Sequence, residues 1–445
     1  MEKKTSINSN KFLALICLFN SIILFFYVLN FDLPKSSILF KFLIFFLFFS
    51  LISFLIVLFK LNILKKILNI QISLFFLIVT FLVIEIFFVI IPSSIPKSLS
   101  LWISKNNNQQ KVIDYLDKSP FIKFKPDINV RSAYYRGFSD QFVYSWKTDK
   151  YGFKNLKQNV DKKKYKALLL GNSWSEGMGV KTDDTFASKL SNKDFLTYNL
   201  GVQGYSPSQQ YGVLNIYGSK LDSDYIITVY VAETYLREKK FYNKTKPREF
   251  TGGIANIDKL EKNEIRNRAK YVSSAIWLTT TGLRNDFLRF IKYFNKREIS
   301  PPFKRYQSEF FLLEEKVTQN LYESLYKDVY WAETLRNFQK INSYSKKNKR
   351  KMIFVYAPRR ANVYYEIATK KKLPNTAFLE VNLFKEFCKK ENIIFLDLTS
   401  ALIEFTSKQK DINKLPFLKI DGHLSSYGHE IFANEILAKI KDLEK

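Results

Sequence analysis

Apolar residues fill positions 12–31, 38–59 and 67–92 almost without a break, with Lys41 and Glu85 the charged exceptions. Crossing about 30 Å of hydrocarbon takes about 20 residues of helix, and each run is long enough. A buried core helix normally keeps a polar stripe, and these runs have none. The first run is not a cleavable leader: it lacks a small-residue cleavage site and two further apolar runs follow at once. Three transmembrane helices are therefore expected. Lys3, Lys4 and Lys11 precede the first, Lys60, Lys65 and Lys66 separate the second and third, and the loop at Asp32 and Lys35 is poor in positive charge. The positive-inside rule sets the N-terminus in the cytoplasm. An odd number of crossings then places everything beyond about residue 95 outside, as the C-terminal part of a multi-pass protein of the cell membrane.

The pattern changes after the third run. Residues 96–147 have weak periodicity and read as a connector that packs on the edge of the C-terminal domain. From 148 to the end, short β-branched apolar runs alternate with amphipathic stretches. Strands are predicted at 165–171, 195–200, 224–231, 351–357 and 393–398. Helices are predicted at 184–191, 207–219, 331–347, 379–390 and 425–443. Continuous apolar strands separated by helices imply an α/β domain, a three-layer α/β/α sandwich around a mostly parallel five-stranded sheet of the flavodoxin-like kind. In such sheets ligands sit beyond the carboxyl ends of the strands. The basic stretch at about 236–330 interrupts the alternation and reads as a helical insertion.

Composition narrows the function. Seventy Lys and Arg against 41 Asp and Glu leave a net charge of +29. A nucleic-acid partner would fit that charge, but the predicted topology places the basic domain outside the cell; anionic membrane lipid or anionic polysaccharide fits both. Two cysteines, Cys17 and Cys388, make no disulfide framework. Two histidines and no cysteine cluster give no metal-ligand set, and no cofactor is expected.

Against that background one stretch stands out. Lys166-Ala-Leu-Leu-Leu-Gly-Asn-Ser-Trp-Ser-Glu-Gly177 is a buried strand running into a tight turn with Ser173 upon it. A hydroxyl so placed suits a nucleophile. Both histidines lie in Lys419-Ile-Asp-Gly-His-Leu-Ser-Ser-Tyr-Gly-His-Glu430, just ahead of and within the last helix. His423 has the chemistry of a general base, and Asp421, two residues before it, is placed to orient the imidazole. His429, inside the helix, reads as a packing residue. The glycines of Asn199-Leu-Gly-Val-Gln-Gly204 allow a backbone N–H to approach a developing oxyanion closely.

Together these segments resemble the SGNH hydrolases, the GDSL-type esterases and lipases, in a membrane-anchored bacterial branch. Gly171-Asn-Ser-Trp-Ser-Glu-Gly177 resembles the first block, the loop ending in Gly204 the second, and Asp421-Gly-His423 the last. Asp149-Lys-Tyr-Gly-Phe-Lys154 and Tyr356-Ala-Pro-Arg-Arg-Ala-Asn-Val-Tyr364 are similar to further segments of that branch. The resemblance covers about residues 148–440. It implies Ser173, His423 and Asp421 as catalytic residues, with the N–H groups of Ser173 and Gly204 as oxyanion donors. Two departures stand out. Asn172 replaces the usual Asp of the first block. The third block usually supplies an Asn side chain to the oxyanion, whereas here the strand runs into Ala232-Glu-Thr-Tyr235. Ionised Glu233 cannot donate a hydrogen bond, and Thr234 is the hydroxyl left for that role.

The expected function is that of a membrane-anchored serine esterase or O-acyltransferase acting on acyl, in the first place acetyl, esters of an envelope glycan or lipid-linked saccharide. Its partners would be the acylated saccharide or another ester, membrane lipid and a membrane acyltransferase. The two departures keep an alternative open: a catalytically degenerate subunit that binds glycan, with Arg359 and Arg360 at a strand end gripping an anionic group.

Overall fold

The computed structural model describes residues 14–22, 46–54, 70–80 apart from 78, 83, 112–238 apart from 137–139, 163 and 194, 303, and 328–445 apart from 420–421. The chain divides into two compact units, Met1–Ser104 with Lys259–Arg284, and Lys105–Asp258 with Asn285–Lys445.

In the first unit, residues 14–22, 46–54 and 70–77 are helical and lie inside the three apolar runs. Among the described residues no helix is long and apolar enough to cross a membrane. The remaining parts of the expected spans lie outside the described residues. A polar knot joins the three helices. Asn20 Nδ2 donates to Gln71 Oε1 (2.9 Å), Ser50 Oγ to the same oxygen (3.3 Å), and Gln71 Nε2 to Ser53 Oγ (3.1 Å). Asn20, Ser50 and Gln71 are wholly buried. Buried polar side chains need hydrogen-bond partners, and these find theirs in one another across the three helices.

The second unit is built on a five-stranded, all-parallel sheet: β5 (Lys164–Leu170), β6 (Thr197–Asn199), β7 (Asp222–Val231), β8 (Lys351–Ala357) and β9 (Ile394–Asp397), in the spatial order β6-β5-β7-β8-β9. Successive strand residues face opposite ways. Leu168, Leu170, Ile226, Tyr230, Phe354 and Tyr356 enter one core with α3 (Pro207–Tyr217), α4 (Val329–Lys347) and α6 (Leu379–Glu391). Ala167, Leu169, Ile227, Val229, Ile353 and Val355 enter the other, against α2 (Phe186–Ser191), α5 (Arg360–Thr369), α7 (Thr399–Ser407) and α8 (Ser426–Glu444). Both faces are covered, which is why the strands read as unbroken apolar runs. The α/β sandwich and its strand ends match the pattern expected from the sequence to within a few residues. Helices α5 and α7 were not expected. Both are short, and α5 follows Pro358-Arg359 without a clear apolar stripe.

The stretch expected to be a connector does pack on the sheet domain, and it has regular structure of its own. It contains two antiparallel pairs, β1 (Ile113–Tyr115) with β2 (Ile122–Phe124), and β3 (Asn129–Arg136) with β4 (Asp140–Lys147). Ile113, Ile122, Phe124, Val130 and Trp146 are buried in the first core. Tyr205 Oη and Gln209 Nε2 donate to the carbonyls of Ile122 and Pro120. The compact unit therefore begins at Lys105, upstream of the expected boundary. The basic insertion at about 236–330 lies outside the described residues except at its ends and at Phe303, which packs on Tyr364.

Candidate active site

Strand order decides where a site can form. The chain runs from β5 outward to β6, then returns across β5 to β7, so the crossovers part above the carboxyl ends of β5 and β7. That crevice is the usual ligand position in an open α/β sheet. Ser173 follows β5, and Glu233 and Thr234 follow β7.

Ser173 opens the short helix α1 (Ser173–Glu176). Asn172 caps it, its Oδ1 accepting from Trp174 N at 3.1 Å. Backbone N–H groups at a helix start have no partner within the helix, so Ser173 N is available to a developing anion. The turn is drawn tight by Gly171: a Cβ there would stand 2.0 Å from Ser175 Oγ.

His423 comes from a different part of the chain. Phe417 and Leu424 form an antiparallel bridge, Leu418 N donates to His423 O at 2.8 Å, and Ser425 N to Pro416 O at 2.9 Å. This narrow loop sits at the head of α8 and presents the imidazole to the crevice. His423 Nε2 lies 2.7 Å from Ser173 Oγ, across 250 residues of sequence. Arg360, 6% exposed, braces the loop by donating from Nη1 to Leu418 O at 3.4 Å. Asp421 lies outside the described residues. His429 is wholly buried; its Nδ1 accepts from Phe186 N at 3.2 Å and its ring stacks on Phe186. That bond leaves the ring proton on Nε2, and burial holds the pKa well below the usual histidine value.

A cavity of about 450 Å³ surrounds the Ser–His pair, walled by Asn172, Trp174, residues 231–234, Leu236, Arg237, Arg359 to Ala361 and Gly422. The expectation that Thr234 donates to the oxyanion is corrected here. Its hydroxyl donates to Val231 O (2.5 Å) and receives Asn172 Nδ2 (3.3 Å), so its one hydrogen is already committed. The two sequence departures are thus one arrangement: Asn172 keeps the cap with its oxygen and binds Thr234 with its amide. Glu233 has φ +68°, a left-handed conformation that costs a residue with a side chain about 1 kcal/mol. Its N–H is held by both oxygens of Glu380 (3.0 and 3.2 Å), and its carboxylate pairs with Arg359. Arg359 and Arg360 both reach the cavity, but each is engaged, with Glu233 and Leu418 respectively.

Gly204 has φ +84° and lies on the far side of the nucleophile turn, in the loop after β6. That loop is anchored by residues to which the sequence alone assigned no task. Glu176, wholly buried, accepts from Gln203 N (2.6 Å) and Gln203 Nε2 (3.2 Å). Asn199 Nδ2 donates to Ser175 O (2.7 Å), while Asn155 binds Asn199 at both N and O. Lys154, 1% exposed, donates to Gly177 O (2.8 Å) and Val180 O (2.7 Å). Burial pushes the Glu176 pKa up and that of Lys154 down, while each charge favours ionisation of the other. Asp149 closes the upstream turn, accepting from Tyr151 N and Phe153 N. The segment Asp149–Lys154 was conspicuous as sequence; its task, bracing the nucleophile turn, needed the tertiary contacts.

Behind Glu233 lies Glu380, bonded to Tyr230 Oη (2.5 Å) and Tyr356 Oη (3.3 Å). Burial pushes its pKa up to about 7, against the opposing pull of Tyr230 and Arg359. The folded state therefore binds this proton more tightly than the unfolded chain, whose ordinary value is 4.5. The resulting stability is whole below pH 4.5 and is lost as pH rises through 7, a contribution of about 3 kcal/mol. Glu380→Gln should flatten the fall in unfolding free energy between pH 5 and 8, as measured by urea titration at each pH; an unchanged slope would assign that dependence elsewhere.

No family model matches the chain, and no curated protein matches it by sequence. Solved structures do align with it. An acetyl xylan esterase aligns at 10% identity over 62% of this chain and 99% of its own, with a TM-score of 0.33. A GDSL-like lipase from Bacteroides thetaiotaomicron aligns at 12% over 65% and 91%, TM-score 0.31. A variant of an acetyl-xylooligosaccharide esterase from Geobacillus Stearmophilus aligns at 13% over 62% and 94%, TM-score 0.32. At these values the chemistry of the chain rests on the geometry of its own site.

Proposed function

We propose that this chain is a serine ester hydrolase of the SGNH (GDSL) type, anchored in the cell membrane by its N-terminal helices, whose extracytoplasmic domain removes or transfers acyl groups on an envelope saccharide. The observation that carries the reading is the 2.7 Å approach of His423 Nε2 to Ser173 Oγ in a walled cavity at the switch point of the sheet.

The chemistry follows from that contact. Ser173 Oγ attacks the ester carbonyl carbon, and its proton passes to His423 Nε2. The carbonyl oxygen becomes an oxyanion facing the N–H groups of Ser173 and Gly204. The tetrahedral species collapses, the C–O bond to the sugar breaks, and His423 returns the proton to the departing alkoxide. Water, or a second sugar hydroxyl, then gives a proton to His423 and attacks the acyl-serine; the acyl C–Oγ bond breaks, His423 returns the proton to Ser173 Oγ, and the acid or the transferred ester leaves. Asp421, two residues before His423, would hold the imidazole in the tautomer that accepts at Nε2.

A cavity of about 450 Å³ accommodates a short acyl group such as acetyl together with part of its carrier. A saccharide acceptor is favoured by the strongly basic chain and its expected place outside the membrane. The test uses the full chain in detergent. A fluorophosphonate should label Ser173, and acetate should be released from an O-acetylated glycan; absence of both would overturn the reading. The spent hydroxyl of Thr234 favours the second reading, a glycan-binding subunit without turnover, and that reading predicts glycan binding with no labelling.

A further inference from the structure

The Ser–His cavity has a neighbour on the layer formed by α3 and α4. Leu236 and Arg237 line the Ser173 cavity, and the next residue, Glu238, lines a recess of about 380 Å³ together with Ser208, Tyr211, Asn215 and Lys340. The last three also line a recess of about 570 Å³ that continues past Arg336 and Tyr344 to Lys347 and Asn348. The two recesses form one trough between the helices. From Glu333, in its first part, to Asn348, in its second, the chain of α4 rises about 22 Å.

Charge is sorted along this trough. In the part nearest the turn after β7 the carboxylates are already spent. Glu238, 1% exposed, accepts from Ser208 N (2.7 Å) and Ser208 Oγ (2.8 Å). Glu333 accepts from Arg336 Nη1 (2.6 Å) and Asn337 Nδ2 (3.1 Å). In the farther part, among the described residues, the lining carries Arg336, Lys340 and Lys347 and no carboxylate. Spacings of four and seven residues keep these three on one face of α4. Lys347 lies in the last turn, where a cation is an ordinary complement to the helix dipole. Lys340 lies in mid-helix and leans across to α3, its ammonium 5.7 Å from the centroid of the Tyr211 ring. Asn215, Ser219 and Ser343 stand exposed in the same lining, and Tyr211 and Tyr344 are half-buried. Cations, amides, hydroxyls and tyrosine rings in one trough match a sugar chain that carries negative charge: the rings meet its apolar faces and the polar groups its hydroxyls.

We propose that the trough between α3 and α4 is a second binding site, which holds an anionic stretch of a saccharide chain while an ester elsewhere on that chain lies at Ser173. The link to Ser173 rests on the esterase reading above; the binding itself needs no turnover. A single anion would use one or two of these groups, whereas a trough of this length with cations at intervals suits a repeating charge. A lipid surface is flat, and the trough is walled by two helices. Its contribution is to affinity for the polymer, and so to KM for a polymeric ester.

The experiment uses the full chain in phosphatidylcholine nanodiscs, with polygalacturonate, a phosphodiester-linked glycan and neutral xylan as probes. The chain should bind at least one of the anionic polymers, which identifies carboxylate or phosphate as the group recognised, and should bind xylan far more weakly. Lys340→Gln together with Lys347→Gln should weaken that binding about tenfold, the effect of losing two exposed charge contacts. Lys385→Gln together with Lys389→Gln removes the same charge from exposed positions on α6 and should weaken it little. KM for the acetylated form of the bound polymer should rise with the first pair by the same factor. In lysine footprinting read by mass spectrometry, the polymer should protect Lys340 and Lys347 but not Lys385 and Lys389. Equal weakening by both pairs, equal binding of xylan, or no binding of either anionic polymer overturns the inference and leaves the esterase reading standing. Protection of Lys340 by phosphatidylglycerol in the nanodisc, with no polymer present, assigns the trough to lipid and overturns it as well. Absence of turnover and of Ser173 labelling overturns the esterase reading, while polymer protecting Lys340 and Lys347 still establishes the second site.

Discussion

Ser173→Ala is expected to lower kcat for a neutral aryl acetate by roughly 10⁴-fold or more, with thermal unfolding unchanged. The magnitude follows from what the hydroxyl does. No neighbour can replace it as nucleophile: Ser175, two residues on, points into the fold and donates to Leu170 O. His423→Ala should lose a comparable amount, because an unassisted serine hydroxyl is a weak nucleophile near neutral pH. The double variant should be little worse than either single one, since the two groups act as a unit. Additive losses would show that Ser173 and His423 work independently. Equal turnover by the wild type and Ser173→Ala would rule out a serine mechanism altogether. The mutation removes one buried hydroxyl whose partner is His423, so stability should barely move.

Lys154→Met is expected to destabilise the second unit by about 3–5 kcal/mol, at roughly 1–3 kcal/mol for each buried carbonyl left without its donor and with the loss of the positive charge that favours ionised Glu176. Lys154 is buried beneath Tyr144 and Trp146, its ammonium 5.5 and 5.0 Å from the ring centroids. It supplies the hydrogen bonds to Gly177 O and Val180 O, immediately after the nucleophile helix. Methionine keeps the length and the apolar stem but leaves those carbonyls without this donor and Glu176 without its countercharge. In a unit of this size the midpoint should fall by roughly 10 °C. Adding Glu176→Gln should recover a good part of the loss, because a neutral amide needs no countercharge and can still accept from Gln203 N. Failure of the second substitution to recover anything would show that Lys154 acts through its two carbonyl bonds alone. Differential scanning calorimetry of the full chain at pH 7 measures both.

The two substitutions act differently because the site has two kinds of part. Ser173 and His423 are the parts that meet substrate, but their register depends on Asp149, Lys154, Asn155, Glu176 and Asn199, all buried and all hydrogen-bonded across segments far apart in sequence. Each of these buried polar groups would be costly to leave without a partner, which gives one arrangement of the turn and the Gly204 loop a large advantage over others. Glu233 shows the same logic on the opposite wall, where its left-handed backbone is tolerated because Glu380 takes its N–H.

The sequence by itself determined the α/β alternation, the ends of the five parallel strands and the type of residue at each strand end. It did so because strands buried on both faces must be apolar throughout, and because turns, caps and a nucleophile position have local signatures. It also singled out Ser173 and His423, by turn chemistry and by the scarcity of histidine. Only the tertiary structure decided the rest. The two hairpins upstream of the sheet have no strong periodicity; Phe124, Tyr144 and Trp146 find their places through ring contacts with one another and in the first core. The bond of Asn172 to Thr234, the bracing of the His423 loop by Arg360 and the anchoring of the Gly204 loop on Glu176 are all contacts between segments brought together by the strand order β6-β5-β7-β8-β9. A local pattern shows which residues can donate or accept a hydrogen. Which donor is still available for chemistry depends on where the others have been spent, and that is settled by packing between distant parts of the chain.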